Sequence, residues 1–198
     1  MTTTTGTTTS ARTSRTVAVA LAGVAVVAGA AWATGTVFGF RGPAFAWVLH
    51  FLLMGWISGV LDAARPRLAG AWFRVRGWEP TVYRRLGAWW YLRLLRVVGW
   101  ERLMRGGRGF TGTRASLAVL DRQTRSAECG HLVVAVVVTA VSVVVAAAGA
   151  WDAVAWLSGL TVLLHVFPVL LQRALRARIQ RLRSPGEGVS GAYPRGGR

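Results

Sequence analysis

Two ionisable side chains, Glu128 and His131, stand three residues apart in the stretch TRSAECGHLVV, where an apolar run opens at Leu132. On a helix, positions i and i+3 share a face, so this carboxylate and imidazole can meet. A paired histidine exchanges protons near neutral pH, which makes the two residues candidates for general acid–base chemistry. Ionisable groups at the mouth of a membrane-length apolar run are costly, and by default they face the protein interior and serve a function. The competing reading is an interfacial histidine, bonded to its neighbour, that merely ends a helix. A second polar cluster, Gln172, Arg173, Arg176 and Arg178, follows the last apolar run. Antiparallel neighbours would bring both clusters near one plane, with His165 about 10 Å deeper at 1.5 Å per residue.

The elements that must position these groups are four apolar segments, at about 16–38, 43–64, 132–150 and 153–171. Each approaches the roughly 20 residues that a helix needs to cross a hydrocarbon core of about 30 Å. Phe40-Arg41-Gly42 joins the first two and Trp151-Asp152 joins the last two, so the segments form two hairpins. The expected fold is an all-α integral membrane protein, with a single membrane domain over 16–183 and a long connection over 65–131.

Charge orients the hairpins. All 24 cationic side chains are arginine against seven acids, a formal charge of +17, while 53% of residues are hydrophobic. Such a basic excess suits either nucleic acid or a membrane protein with basic cytoplasmic segments, and here the arginines avoid the apolar runs. Fourteen lie between Arg65 and Arg125, seven follow the last segment, and Arg12 and Arg15 precede the first. The positive-inside rule then places both termini and the long connection in the cytoplasm of a multi-pass cell-membrane protein, with no role for nucleic acid. The single cysteine, Cys129, excludes an intramolecular disulfide and a cysteine-rich zinc site.

Segment 1 has the features of a signal peptide, with Arg12 and Arg15 before an apolar core and Ala31-Trp32-Ala33 at its end. The apolar run continues to Phe40, however, and Ala25, Gly29 and Ala33 recur every fourth residue, as in closely packed membrane helices. An uncleaved helix is the expectation. Gly55 and Gly59 offer the same device in segment 2. The Thr-rich opening (1–15) and the Gly- and Pro-containing tail (184–198) have compositions that favour disorder.

Within the connection, Pro66 ends segment 2 and Pro80 suits a first helical turn. Tyr83, Leu86, Trp90, Leu94 and Val97 then fall at helical spacing, with Arg84, Arg85, Arg93 and Arg96 off the stripe. The pattern predicts an amphipathic helix, either flat in the membrane interface or packed on the cytoplasmic ends of the bundle. Gly106-Gly107-Arg108-Gly109 breaks the chain, and a further helix is expected from near Arg114 through Glu128 into segment 3.

Three blocks resemble a known pattern: Trp78-Glu79-Pro80 with Tyr83-Arg84; Thr124 to His131; and Pro168 to Arg178. They are similar to the Trp-Glu, Thr-x-x-x-Glu-x-x-His and Pro-x-x-x-Gln-Arg-x-x-Arg-x-Arg blocks of the glycosyl-4,4'-diaponeurosporenoate acyltransferase family, bacterial membrane proteins of carotenoid biosynthesis. The resemblance covers roughly Asp62 to Arg183, and Glu-x-x-His is its most specific part. Ala174, Leu175 and Ala177 stand where the family more often has Tyr-Asn and Pro. An identical substrate does not follow from the resemblance, since distant members can acylate other lipids. The resemblance implies transfer of a fatty acyl group to a sugar hydroxyl of a glycosylated carotenoid or related glycolipid.

For that reaction His131 would be the base, with Glu128 orienting its ring and stabilising the imidazolium. Arg173 or Arg176 would stabilise the oxyanion or bind a donor phosphate through paired guanidinium donors. Gln172 would orient the sugar, and Trp78 would stack on it or anchor the interface. Glu79 and Arg125 complete the candidate substrate-binding set. Cys129 is a weaker nucleophile candidate, since it sits between the paired residues. No metal is expected, because one Glu-x-x-His supplies two ligands, and no cofactor. Expected partners are membrane lipids, the glycolipid acceptor and a fatty acyl donor, with the oligomeric state open. Two other classes stand beside this one: a non-enzymatic membrane protein whose arginine-rich connection binds anionic lipid or a partner, and a transport or scaffolding role using His50 and His165.

Overall fold

The computed structural model describes residues 4–99, 113 and 116–183. The glycine-rich break at 106–109 and the tail at 184–198 lie outside the described residues. In chain order the elements are α1 (Thr4–Phe38), α2 (Pro43–Ala64), a 3-10 turn (Ala71–Phe73), α3 (Glu79–Arg85), α4 (Ala88–Val97), α5 (Ser116–Ala147), α6 (Trp151–Thr161), a π-helical turn (Val162–Val166) and α7 (Phe167–Arg183). Among the described residues there is no strand. Four helices among the described residues are long and apolar enough to cross a membrane: Ser10–Phe38, Pro43–Ala64, Ser116–Ala147 and Trp151–Arg183. The chain is an all-helical membrane protein.

Local chemistry sets the helix ends. Pro43 opens α2, where its missing N–H is no loss. Arg65 closes it in the left-handed region at φ 45°, its N–H donating to the Leu61 carbonyl, and Pro66 prevents continuation. Gly39 ends α1 and Gly149 ends α5, both at positive φ, which a residue without Cβ adopts at little cost. The helix α1 begins at Thr4, inside the Thr-rich stretch whose composition favours disorder.

The chain divides into two compact units: Met1–Ala69 with Arg125–Leu170, and Gly70–Thr124 with Leu171–Arg198. In the first, Ala46, Leu49 and Leu53 of α2, Val134 and Val138 of α5, and Leu157 and Leu160 of α6 form the buried core. The spacings of three and four along each helix place these side chains on one face. Packing between α1 and α2 differs from the expected stripe. Ala25, Gly29 and Ala33 are exposed, and nothing lies within 4 Å of a Cβ built on Gly29. The close approach is at Gly23, where a Cβ would run into the Trp56 ring at Cδ1. The Trp56 indole lies across α1 and donates to the Ala20 carbonyl at 3.1 Å. A bulky aromatic thus selects the glycine two residues before the regular repeat.

Gly23→Ala is therefore expected to dislodge Trp56 and cost about 1–3 kcal/mol as overpacking. Gly29→Ala should be neutral or stabilising by up to about 1 kcal/mol from helix propensity. Thermal unfolding of both variants in nanodiscs checks the difference.

In the second unit the predicted amphipathic helix is broken. Gly87, at φ 87°, separates α3 from α4 and resets the helical register. Tyr83, Ala88 and Tyr91 are buried, while Leu86, Trp90 and Val97 of the expected stripe are 53%, 62% and 81% exposed. Trp72, Trp78 and Trp89 are exposed as well. The hydrophobic surface of α4 is thus turned outward among arginines.

Candidate active site

Beginning with the first unit, α5 carries Glu128 and His131 one turn apart, and Glu128 is fully buried. The His131 ring meets His165, Nδ1 to Nδ1, at 3.1 Å. His165 therefore sits level with His131, and the expected depth offset between them is absent. The π-helical turn helps to explain how it gets there. Pro168 has no N–H to offer four residues back, and its ring crowds the preceding turn. The Phe167 N–H reaches five residues back to the Val162 carbonyl instead. The widened turn re-aims the side chains it carries, as π-bulges do at functional sites.

His165 also stacks on His50, with centroids 5.2 Å apart and planes 13° from parallel. His50 Nδ1 donates to the Ala46 carbonyl at 2.7 Å. Its Nε2 lies 3.2 Å from the Thr161 hydroxyl. His50 and His165 are each 1% exposed, whereas His131 is half-buried. Arg125, one turn before Glu128, donates to the Leu68 carbonyl at 2.9 Å. Gly130 lets α2 approach α5, since a Cβ there would lie 3.3 Å from Met54 Cε.

The second unit holds a different network. Glu79 opens α3, and its Oε1 accepts from the Arg76 N–H at 2.9 Å, closing the turn before the helix. Its Oε2 accepts from Arg173 Nη2 at 2.7 Å and from the Tyr83 hydroxyl. Arg173 Nε donates to the Tyr83 hydroxyl oxygen at 2.7 Å, and Nη1 donates to the Trp72 carbonyl at 3.2 Å. All three guanidinium nitrogens are therefore engaged. Burial pushes the Glu79 carboxyl up, but the hydrogen bonds from Tyr83, the Arg76 N–H and Arg173 outweigh it and hold the group below its ordinary value. Burial and the bond to Glu79 push the Tyr83 hydroxyl up.

Arg176 is fully buried. Its Nε lies 3.4 Å from the Thr124 hydroxyl and 3.9 Å from Asp121 Oδ1, and its guanidinium lies over the Phe73 ring. Gln180 accepts from the Val75 N–H and donates to the Phe73 carbonyl, pinning the irregular chain after the 3-10 turn. Gln172 is half-buried on α7, and Trp78 is 60% exposed. Cys129 is a free, half-buried thiol.

Of the expected site residues, Glu79 and Arg173 come together directly, and Arg176 is held by residues not singled out from the sequence, Asp121 and Thr124. Tyr83 and Thr124 stood in the quoted blocks without a role. Asp121 had a signal, since it lies one turn before Thr124 on the helix that carries Glu128 and His131. His165 and His50 were visible as intramembrane histidines, but only the tertiary fold unites them with His131.

Comparison with curated proteins and with solved structures returned no match. A family model does match, over residues 69–184, and it spans Glu79, Tyr83, Thr124, Glu128, His131, His165, Arg173 and Arg176. By that match, over more than half of its length, this chain belongs to the glycosyl-4,4'-diaponeurosporenoate acyltransferase family.

Proposed function

We propose that this protein is a membrane acyltransferase that esterifies a sugar hydroxyl of a glycosylated carotenoid, or a related glycolipid, with a fatty acyl chain. The family match over residues 69–184 carries this reading. His131 is the general base, supported by its position as a half-buried residue whose ring meets the buried His165. Glu128 lies one turn away on the same helix and stabilises the imidazolium as the proton arrives. Arg125, one turn before Glu128 on the same helix, is a polar group for the acceptor. Arg173 is assigned a structural role, because its donors are taken up by Glu79, Tyr83 and Trp72. Exposed Trp72, Trp78, Trp89 and Trp90 suit a membrane interface, where aromatic rings settle at headgroup depth.

Purified full-length protein in nanodiscs, given a glycosylated carotenoid and a fatty acyl thioester, tests the reaction. Appearance of the sugar ester by mass spectrometry supports it; no ester with any acyl chain length contradicts it.

The orientation we propose puts both termini and residues 65–131 in the cytoplasm of a cell-membrane protein. In a variant with Cys129 replaced, cysteines at Gly42 and Asp152 should label from outside, and cysteines between Trp78 and Arg125 only after permeabilisation. External labelling of the long connection would overturn the arrangement.

A further inference from the structure

The chain contains three histidines, and all three meet in the first unit. One is fixed by its partners. A carbonyl only accepts, so His50 Nδ1 carries the proton it gives to Ala46, and its Nε2 faces the Thr161 hydroxyl. With both nitrogens committed, His50 serves as a platform under His165. Among the described residues no group of three His, Cys, Asp or Glu side chains is arranged to hold a metal ion.

The other two rings share the Nδ1–Nδ1 contact of 3.1 Å. In the neutral pair one Nδ1 carries the hydrogen and the other the lone pair. Each neutral imidazole has one N–H. The ring that donates at Nδ1 therefore has a bare Nε2, and the ring that accepts has an Nε2–H. Whichever way the bond runs, the pair offers one base and one hydrogen-bond donor. Acyl transfer to an alcohol requires one of each.

Burial assigns the roles. His165 Nε2 is buried and, among the described residues, has no hydrogen-bond partner. A buried N–H left without an acceptor costs about 1–3 kcal/mol, a cost removed when an oxyanion forms against it. His131 is half-buried, the less enclosed residue of the two, and so is the one assigned to the hydroxyl.

We propose that His131 and His165 work as a matched acid–base pair, His131 Nε2 taking the hydroxyl proton while His165 Nε2–H holds the carbonyl oxygen of the acyl donor. The assignment rests on the acyltransferase reading and names a second histidine for that site. As the acceptor oxygen bonds to the acyl carbon, its proton passes to His131 Nε2 and the carbonyl π electrons move to the oxygen beside His165. Collapse re-forms the carbonyl and breaks the bond to the leaving thiolate or alkoxide, which takes the proton back from His131. Nothing is oxidised or reduced.

Two experiments on the full chain in nanodiscs test the pair. The first is 15N NMR of histidine-labelled protein, simplified by the presence of three histidines. His131 should be protonated at Nδ1 and His165 at Nε2, with nitrogen–nitrogen coupling across the shared bond. Uncoupled rings, or a proton on Nδ1 of His165, overturn the proposal without reference to any substrate. The second compares His165→Asn with His165→Gln at equal folded protein. Asparagine keeps a polar group at the Nδ1 place and lacks a donor at the Nε2 place, so kcat should fall about 10²–10³-fold. Glutamine restores an N–H near the Nε2 place and should recover at least about tenfold of that loss. An asparagine variant as active as wild type, or a glutamine variant no better than asparagine, refutes the donor role. Absence of transfer by the wild type sinks the reaction reading itself; transfer with the wrong tautomers sinks the pair alone.

Discussion

Replacing His131 with alanine is expected to lower acyl transfer about 10²–10⁴-fold while the protein still inserts and folds, because a general base is lost. That range corresponds to roughly 3–5 kcal/mol of transition-state stabilisation at 1.36 kcal/mol per decade. The structural cost is smaller, since leaving the buried His165 Nδ1 without its partner costs about 1–3 kcal/mol. The two magnitudes separate a catalytic imidazole from one that only ends a helix. Glu128→Gln keeps the shape of the side chain and removes its charge, and a large loss of rate is expected there as well. Arg41→Ala is the control, since the Arg41–Asp152 pair spans 4.0 Å with side chains 65% and 55% exposed, and exposed pairs contribute little. Initial rates in nanodiscs, normalised to folded protein, give the comparison. A His131→Ala protein retaining most of its activity removes His131 as the base.

The second large effect concerns stability. In the Arg173–Glu79 pair the side chains are 13% and 6% exposed, and Tyr83 joins both. Arg173→Ala leaves a buried carboxylate beside a tyrosine, and breaking a buried pair typically costs about 3–5 kcal/mol. Replacing Arg173 by Met and Glu79 by Leu together should cost much less, because neither charge is left stranded. Acid should imitate the single variant. The Glu79 carboxyl is held below its ordinary value of 4.5. Its contribution is therefore fully present above that value and is lost as pH falls through the lower folded value. Arg181→Ala and Arg183→Ala, in the last turn of α7, should matter far less than Arg173→Ala or Arg176→Ala. Chemical denaturation of the four variants decides. Equal behaviour would reassign all four arginines to general attraction of anionic lipid.

Segment length and hydropathy made the four membrane helices readable, because a bilayer imposes one simple requirement on a helix. Their packing faces were less readable. The regular Ala25, Gly29, Ala33 repeat looked like a contact stripe, yet Gly23 is the contact, because Trp56 on another helix chooses it. The stripe from Tyr83 to Val97 assumed one continuous helix, and a single positive-φ glycine at position 87 rotated its second half. At the candidate site, Glu128 and His131 were visible as costly ions at an apolar boundary. Arg173 and Glu79 were visible only as separate candidates; their mutual bond spans 94 residues of sequence. The pairing of His165 with His131 spans 34 residues. It depends on a π turn next to Pro168, and residue spacing alone does not encode that geometry.

The most direct measurement is a lipid profile of cells lacking the gene, complemented with wild type or with His131→Ala at matched membrane levels. The deletion should accumulate a glycosylated carotenoid or related glycolipid that lacks its acyl chain. Wild type should restore the acylated species, and His131→Ala should leave the unacylated one in place. An unchanged profile in the deletion, or full restoration by the His131 variant, would contradict a histidine-based acyltransferase.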